Sequence, residues 1–142
     1  MTESPRHSVS VAAAIFDESG DNVLLIKRRD NGKWEPPGGV LELEETIEEG
    51  LRREVREETG AEIEIGHLTG VYKNMKRGIV ALVFRAHLET PASNVSEEAS
   101  EVRWWGLRDA CAHLDEAYAV RLLDASRAGT VELRHHDGQS LL

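Results

Sequence analysis

One stretch rich in proline and glycine, residues 31–39 (NGKWEPPGG), separates two kinds of apolar periodicity in the chain. Before it, residues 8–16 and 23–29 are apolar or β-branched, as in strands, and the turn composition DESGDN between them predicts a hairpin. After it, the period changes from two to about 3.6, which predicts a helix over residues 46–59. The chain is therefore expected to fold as a sheet with helices packed on it.

The rest of the chain continues this mixture of strands and helices. Strands are predicted over residues 61–72, 79–89 and 101–106, a loop over 90–100, a helix over 114–126, and a last hairpin or a loose tail over 130–142. A length of 142 residues suits one domain with one core. We expect a single α/β domain spanning 1–142, with a short flexible N-terminal segment at residues 1–7.

Composition excludes several classes of function. The formal net charge of −9, from 17 basic and 26 acidic residues, would repel a nucleic-acid backbone. A single cysteine, Cys111, rules out an internal disulfide and a cysteine-rich metal site. The longest apolar run, Val11–Phe16, is far below the roughly 20 residues that cross a bilayer, and the polar start MTESPRHS is not a signal peptide. We expect a soluble cytoplasmic protein without a nucleic-acid polymer or a membrane as partner.

The predicted helix carries carboxylates on its apolar side. Ile47, Leu51 and Val55 form the core-facing stripe. Glu54 and Glu58 follow Ile47 and Leu51 by seven residues and therefore lie on the same stripe. The third carboxylate, that of Glu57, lies one helical step to the side. Unpaired buried carboxylates are costly, so the helix requires compensating charges.

Two kinds of compensation remain open. Arginines from other elements would give a structural ion network, whereas hard divalent cations such as Mg²⁺ or Mn²⁺ prefer clustered carboxylate oxygens. The other charged residues of the helix form a solvated face with pairs at i, i+4 spacing, Glu48 with Arg52 and Glu49 with Arg53, and with Arg56 nearby.

Residues 39–61, GVLELEETIEEGLRREVREETGA, resemble the signature of the Nudix hydrolase family, the MutT-like proteins. The specified positions of that signature are filled without insertion by Gly39, Glu45, Arg53, Glu54, Val55, Glu57, Glu58 and Gly60. Only Ala61 departs, where the family has a bulkier aliphatic residue. The preceding Pro36-Pro37-Gly38-Gly39 turn also stands where such proteins carry a proline-glycine lead-in.

The resemblance implies a Nudix-type α/β/α sandwich with a mixed sheet, in which residues 39–61 form the Nudix box. It implies hydrolysis of a nucleoside diphosphate linked to another group, by attack of water on phosphorus with Mg²⁺ as cofactor and Mn²⁺ as a substitute. Glu54, Glu57, Glu58 and the main-chain carbonyl of Gly39 would hold the metal. Arg53 with Glu45 would brace the loop against the helix.

A general base must accept a proton from the attacking water. Glu57 is the first choice, and a loop glutamate before the 101–106 strand, Glu97, Glu98 or Glu101, is the alternative, of which we take Glu98 as the representative. Arg28, at the end of an apolar strand, is expected to contact substrate phosphate or to pair with a box glutamate.

Several other residues have simpler interpretations. Trp34 is expected to stack on a base or to pack beside the Pro-Pro turn, and Trp104 and Trp105 should alternate between the core and an edge or partner. Cys111 is interpreted as a small apolar filler rather than a nucleophile. His135 and His136 are assigned to the tail.

The substrate is inferred from what is absent. Cues for ADP-ribose, dinucleoside polyphosphate and NADH hydrolases are missing outside the box, which leaves a (d)NTP or an oxidised or noncanonical (d)NTP. An ADP-ribose or nucleotide-sugar pyrophosphatase is the alternative enzyme, and a non-catalytic nucleotide sensor on the same scaffold is the alternative outside catalysis. The sequence neither predicts nor excludes a homodimer.

Overall fold

As the sequence predicts, two long strands precede residues 31–39 and a helix follows them. The computed structural model describes residues 3–93, 95–127 and 129–142. The strands of this part of the chain are β1 (Ser8–Ile15), β2 (Asn22–Arg28), β3 (Trp34–Glu35), β4 (Gly38–Val40), β5 (Ile63–Asn74), β6 (Ile79–Leu88), β7 (Ala99–Gly106) and β8 (Glu132–His136), and the helices are α1 (Ile47–Thr59), α2 (Leu107–His113) and α3 (Glu116–Ser126).

The strands form two sheets. The larger has the order β4-β1-β6-β5-β8 and is mixed, because β1 pairs with β6, and β5 with β8, in parallel. The smaller has the antiparallel order β3-β2-β7. The predicted hairpin of β1 and β2 is wrong: the strands share only one bridge, Phe16 with Val23. Each strand has both of its edges occupied by other partners, so neither has an edge left for the other.

Both faces of the larger sheet are covered, which confirms the α/β/α sandwich. Ala12, Ala14 and Phe16 of the β1 segment belong to one core, which also contains Leu122 and Ala125 of α3. The alternate residues Val11, Ala13 and Ile15 belong to a second core with Leu51 and Val55 of α1. Because successive side chains of a strand point to opposite faces, β1 separates the two cores.

The C-terminal half differs from prediction in two places. The predicted helix 114–126 is confirmed as α3, which begins two residues later, at Glu116. Helix α2 was not predicted, and Leu114, with extended backbone angles (φ −76°, ψ 151°), separates it from α3. The last segment is neither loose nor an isolated hairpin, since β8 joins the larger sheet beside β5, with a single bridge from His136 to Leu141. No helix in the described ranges is long and apolar enough to span a bilayer.

The two segments expected to lack regular structure are mostly exposed. Residues 3–7 precede β1 without regular structure, while residues 1 and 2 of the predicted flexible N-terminal segment lie outside the described residues. Residue 94 of the predicted loop 90–100 also lies outside them, and that loop ends where β7 begins at Ala99.

Candidate active site

Helix α1 is capped at both ends by residues of its own segment. Thr46 and Glu49 form a capping box, with the Glu49 carboxylate accepting from the Thr46 N–H at 3.0 Å. Gly60 ends the helix in the left-handed conformation (φ 73°), which glycine adopts without strain. The predicted core-facing position of Ile47 is wrong: it is 40% exposed, because the buried residues of α1 begin one turn later, at Gly50.

Glu54 and Glu58 are buried, as their place on the apolar stripe predicts. Both meet β4 at the edge of the larger sheet. The Gly38 N–H donates to the Glu58 carboxylate at 2.8 Å. A Cβ atom at position 39 would lie 2.5 Å from the Glu54 carboxyl carbon, so the missing side chain of Gly39 is what lets this carboxylate approach the backbone.

Burial perturbs both carboxyl groups. Loss of solvation raises the pKa of Glu58 to about 9, against the opposing effect of the Gly38 hydrogen bond. Loss of solvation also raises the pKa of Glu54, although the neighbouring Arg53 stabilises its charged form. Neighbouring carboxylates raise both pKa values further: Glu54 acts on Glu58, and Glu57 acts on Glu54. The ionised forms of both groups would therefore be stabilised by additional positive charge.

Two further carboxylates lie beside Glu54 and form a cluster with it, which does not include the predicted metal ligand Glu58. Carboxylate oxygens of Glu54, Glu57 and Glu98 all lie within 4.8 Å of one another. Glu57 comes from α1 and Glu98 from the residues just before β7, and both side chains are exposed. An oxygen-rich group with one buried and two accessible members suits a hard divalent cation that keeps some water ligands. Glu97 and Glu101, the other two loop glutamates considered, are not members of this group.

Arg53 connects α1 to the segment that precedes it. Its Nε and Nη2 atoms donate to the two carboxylate oxygens of Glu45 at 2.9 and 2.6 Å. Its Nη1 atom donates to Glu54 at 2.8 Å and to Glu57 at 3.3 Å. The Arg53 guanidinium lowers the pKa of Glu45 to about 2. The predicted contact of Arg53 with Glu45 is confirmed.

The predicted pair of Glu49 with Arg53 is wrong, because the Glu49 carboxylate is used by the capping box. Arg52 likewise donates to the Ile63 carbonyl oxygen, a backbone partner on β5. Arg56 pairs with Glu62 at 2.7 Å beyond the end of the helix. The face predicted to be solvated is therefore partly used to connect α1 with its neighbours.

Three of these glutamates, Glu54, Glu58 and Glu98, line one end of a cavity of about 620 Å³, whereas Glu57 does not line it. Its walls include the small residues Ser10, Ala12 and Ala81, which are neighbours on β1 and β6. Arg28 also lines the cavity, but it does not pair with a box glutamate as one prediction had it. It donates instead to Asp30 at 2.9 Å and lies 3.9 Å from Glu35.

The other end of the cavity was not predicted from the sequence. Asn74 of β5, Arg121 of α3 and His136 of β8 line it, and all three are buried. The assignment of His136 to the tail is wrong, since it is 1% exposed; His135 is exposed. A signal existed for Arg121, which follows the buried Ala117 by four residues and so lies on the inward side of α3.

The aromatic residues and the cysteine have packing roles. The rings of Trp34 and Trp105 meet edge to face with centroids 5.2 Å apart, and the Arg103 guanidinium lies 4.7 Å from the Trp34 centroid. Trp104 is 40% exposed, which confirms its predicted alternation with the more buried Trp105. Burial raises the pKa of the Cys111 thiol, which packs against the core and fits the interpretation as a filler.

Comparison with known proteins gives consistent results. A family model described as NUDIX domain matches residues 6–124. A MutT-like protein from Streptomyces ambofaciens is 50% identical over 141 residues, which cover 99% of this chain and 91% of the relative. An ADP-ribose pyrophosphatase from Methanocaldococcus jannaschii is 32% identical over 107 residues, 70% of this chain and 63% of the relative. The crystal structure of a NUDIX hydrolase from Nitrosomonas europaea is 28% identical with a TM-score of 0.75, covering 94% of this chain and 82% of that chain.

Proposed function

The chain belongs to the Nudix hydrolase family, and we propose that it hydrolyses a nucleoside triphosphate, oxidised and noncanonical ones included, to a nucleoside monophosphate and pyrophosphate with Mg²⁺. Nudix hydrolases generally use divalent metal ions, and the acidic cluster of this chain suits one. The observation that carries the proposal is the convergence of Glu54, Glu57 and Glu98 beside a cavity large enough for a nucleotide, which Glu54 and Glu98 line.

We assign the metal to Glu54, Glu57 and Glu58, with the Gly39 carbonyl as a further ligand. Support comes from the burial of Glu54 and Glu58, whose raised pKa values make ionisation costly unless a cation is present. The Gly39 backbone lies close to the Glu54 carboxylate, since a Cβ atom at position 39 would lie 2.5 Å from the carboxyl carbon. Carboxylate and carbonyl oxygens are the ligands that Mg²⁺ prefers, and Mn²⁺ accepts the same set.

When bound, the metal supplies positive charge to the phosphate oxygens and lowers the pKa of a bound water. Glu57 accepts the proton of the attacking water. The water oxygen forms its bond to phosphorus as the bond from phosphorus to the leaving pyrophosphate oxygen breaks. Arg53, 3.3 Å from Glu57, holds that carboxylate in place. Glu98 is the second candidate for the base, because its oxygen lies in the same cluster.

Arg28 is assigned to a phosphate of the substrate. Its side chain is 42% exposed and lines the cavity, so a phosphate can reach the guanidinium while Asp30 holds its other edge. Planar guanidinium groups match phosphate oxygens in pairs. An ADP-ribose pyrophosphatase is the second candidate function, favoured by the 32% identity to the relative of that name.

The proposal is tested by hydrolysis of a panel that contains (d)NTPs, oxidised dGTP, ADP-ribose and a nucleotide sugar, with Mg²⁺ and with EDTA. We expect metal-dependent release of pyrophosphate from a triphosphate. Glu57→Gln is expected to lower kcat by about 10²- to 10⁴-fold. Glu48→Gln is the matched control, because Glu48 is exposed on the first turn of the same helix.

If Glu98→Gln lost activity while Glu57→Gln kept it, Glu98 rather than Glu57 would be the general base. Turnover of ADP-ribose without turnover of any triphosphate would replace the proposed substrate by the second candidate. A folded wild-type protein that hydrolyses no member of the panel, and whose melting temperature does not respond to Mg²⁺, contradicts the proposed function.

A further inference from the structure

The end of the cavity remote from the glutamates presents hydrogen-bond donors. We call Asn74, Arg121 and His136 the donor cluster. Its central member, Arg121, is 9% exposed and lies between two aromatic rings, 5.1 Å from the Tyr72 centroid and 4.8 Å from that of Tyr118. Among the described residues it forms no salt bridge, and its buried Nε atom has no hydrogen-bond partner. A buried cation with an unpaired donor is costly unless a ligand supplies an acceptor.

His136 adds a second donor. The Gly138 N–H donates to its Nδ1 atom at 2.9 Å, so Nδ1 carries no proton. Burial and the Arg121 charge lower the pKa of His136, which keeps the ring neutral and places its single proton on Nε2. That Nε2 atom lies 3.4 Å from Nη2 of Arg121. Two donors that face each other do not bond, so both remain available to a shared acceptor.

Asn74 adds a third. Its Oδ1 atom accepts from the N–H groups of Lys76 and Arg77, both at 3.1 Å, in the turn between β5 and β6. The amide oxygen is therefore occupied by the turn. Its Nδ2 group, which only donates, is the part left for a ligand in the cavity that Asn74 lines.

The two ends of the cavity are separated by the width of the sheet. Glu54 and Glu58 meet β4, whereas Asn74 lies on β5 and His136 on β8, which are three and four strands away. At about 4.8 Å per strand the separation is about 14 to 19 Å. An extended ligand with its phosphates at the glutamates would lie across the small residues of β1 and β6 and place its far end at the donor cluster.

We propose that the donor cluster binds the O6 and N7 acceptor edge of a guanine-type base, with Arg121 as the specificity-determining residue. This rests on the proposed function, which places the phosphates at the other end. Guanine offers two adjacent acceptors to a guanidinium, whereas adenine has the N6 donor in place of O6 and would face a donor with a donor. The donor cluster therefore selects guanine over adenine.

The test compares kcat/KM for GTP and ATP in the full chain with Mg²⁺. We expect wild type to favour GTP, and Arg121→Gln to lower kcat/KM for GTP about 10- to 100-fold while ATP is unchanged or improved, because glutamine pairs with adenine N6 and N7. Asn74→Asp keeps the turn-capping oxygen and replaces the donor by an acceptor, so it should also lose GTP preference. Arg127→Gln is the matched control, since Arg127 is exposed at the end of α3.

Equal losses for GTP and ATP in Arg121→Gln would overturn the proposal and make the cluster a phosphate site, and so would an unchanged preference. Calorimetric binding of GMP and AMP in EDTA separates this inference from the proposed function. A wild type that hydrolyses nothing but binds GMP more tightly than AMP, with the difference lost in Arg121→Gln, supports the donor cluster while the proposed function fails. Equal binding of GMP and AMP overturns it.

Discussion

The two ends of the cavity are built in opposite ways. At the acidic end, Glu54, Glu57 and Glu58 lie within one turn and a half of a single helix, and Arg53 beside them already compensates part of their charge. At the donor end, three side chains come from β5, α3 and β8, and the central charge of Arg121 has no carboxylate partner among the described residues. The acidic end is held together mostly within one helix, whereas the donor end forms only when three separate elements pack together.

The difference also concerns what each end lacks. The acidic end has an excess of carboxylates, and the raised pKa values of Glu54 and Glu58 indicate that their charged forms lack sufficient compensation there. The donor end has unpaired donors and requires an acceptor. One molecule that carries both a metal-bound phosphate chain and an oxopurine base would satisfy both ends, so the comparison leads back to a nucleotide ligand.

The largest expected effect on stability is at Arg53, which connects Glu45 to the carboxylates of the acidic end. Arg53→Lys keeps the charge but loses the paired hydrogen bonds to Glu45, which a single ammonium group does not reproduce. We expect the free energy of unfolding to fall by about 2 to 3 kcal/mol in urea titrations. Arg56→Lys is the control, because its pair with Glu62 is solvent-exposed and should change stability by less than about 0.5 kcal/mol. Equal losses of stability in both variants would contradict this role of Arg53.

A smaller effect is expected from pH in metal-free protein. The pKa of Glu58 rises from 4.5 to about 9 on folding, so the native state keeps a proton that the unfolded state has lost between these values. Stability therefore falls as pH rises through that window. Because the carboxyl lines an open cavity, we expect a loss of only about 1 to 2 kcal/mol, measured by urea unfolding in EDTA. Glu58→Gln should flatten the dependence, and a wild-type curve that rises over this window would refute the assignment.

The smallest effect is expected at the donor end. Arg121→Met removes a buried charge that has no carboxylate partner and keeps most of the volume, so stability should change by less than about 1 kcal/mol. Arg134→Met is the contrasting variant, because it strips the buried Asp124 carboxylate of two hydrogen bonds of 2.8 Å and should cost about 2 kcal/mol. Thermal and urea unfolding of both variants would measure this. A loss above about 2 kcal/mol in Arg121→Met would make Arg121 a structural residue.

The sequence was sufficient where the information is local. Helix α1, its capping box, the left-handed Gly60 and the burial of Glu54 and Glu58 all follow from residues a few positions apart. The register argument that found Glu54 also applies to Arg121, which lies on the inward side of α3 next to Leu122. Its partners in the donor cluster are 47 and 15 positions away, and no local pattern connects them.

Strand partners were predicted less well for the same reason. Turn composition favoured a hairpin of β1 and β2, but pairing depends on which strands compete for each edge. β1 is occupied by β4 and β6, and β2 by β3 and β7. Similarly, the assignment of His136 to the tail failed because only the position of β5 reveals a free edge that β8 can join.

The parallel pairing of β1 with β6 has a consequence for the order of folding. Ser8 lies beside Ile79 and Ile15 beside Ala86, so the pair closes a loop of 71 residues. Such closure is entropically costly, and domains with many contacts of this kind fold in about milliseconds to seconds, whereas a helix forms in about a microsecond. Helix α1 can thus form and break many times while the surface between β1 and β6 is still absent. We therefore expect the carboxylates of α1 to be arrayed on a helix before β1 and β6 pair, and the cavity between these strands to form only when they do.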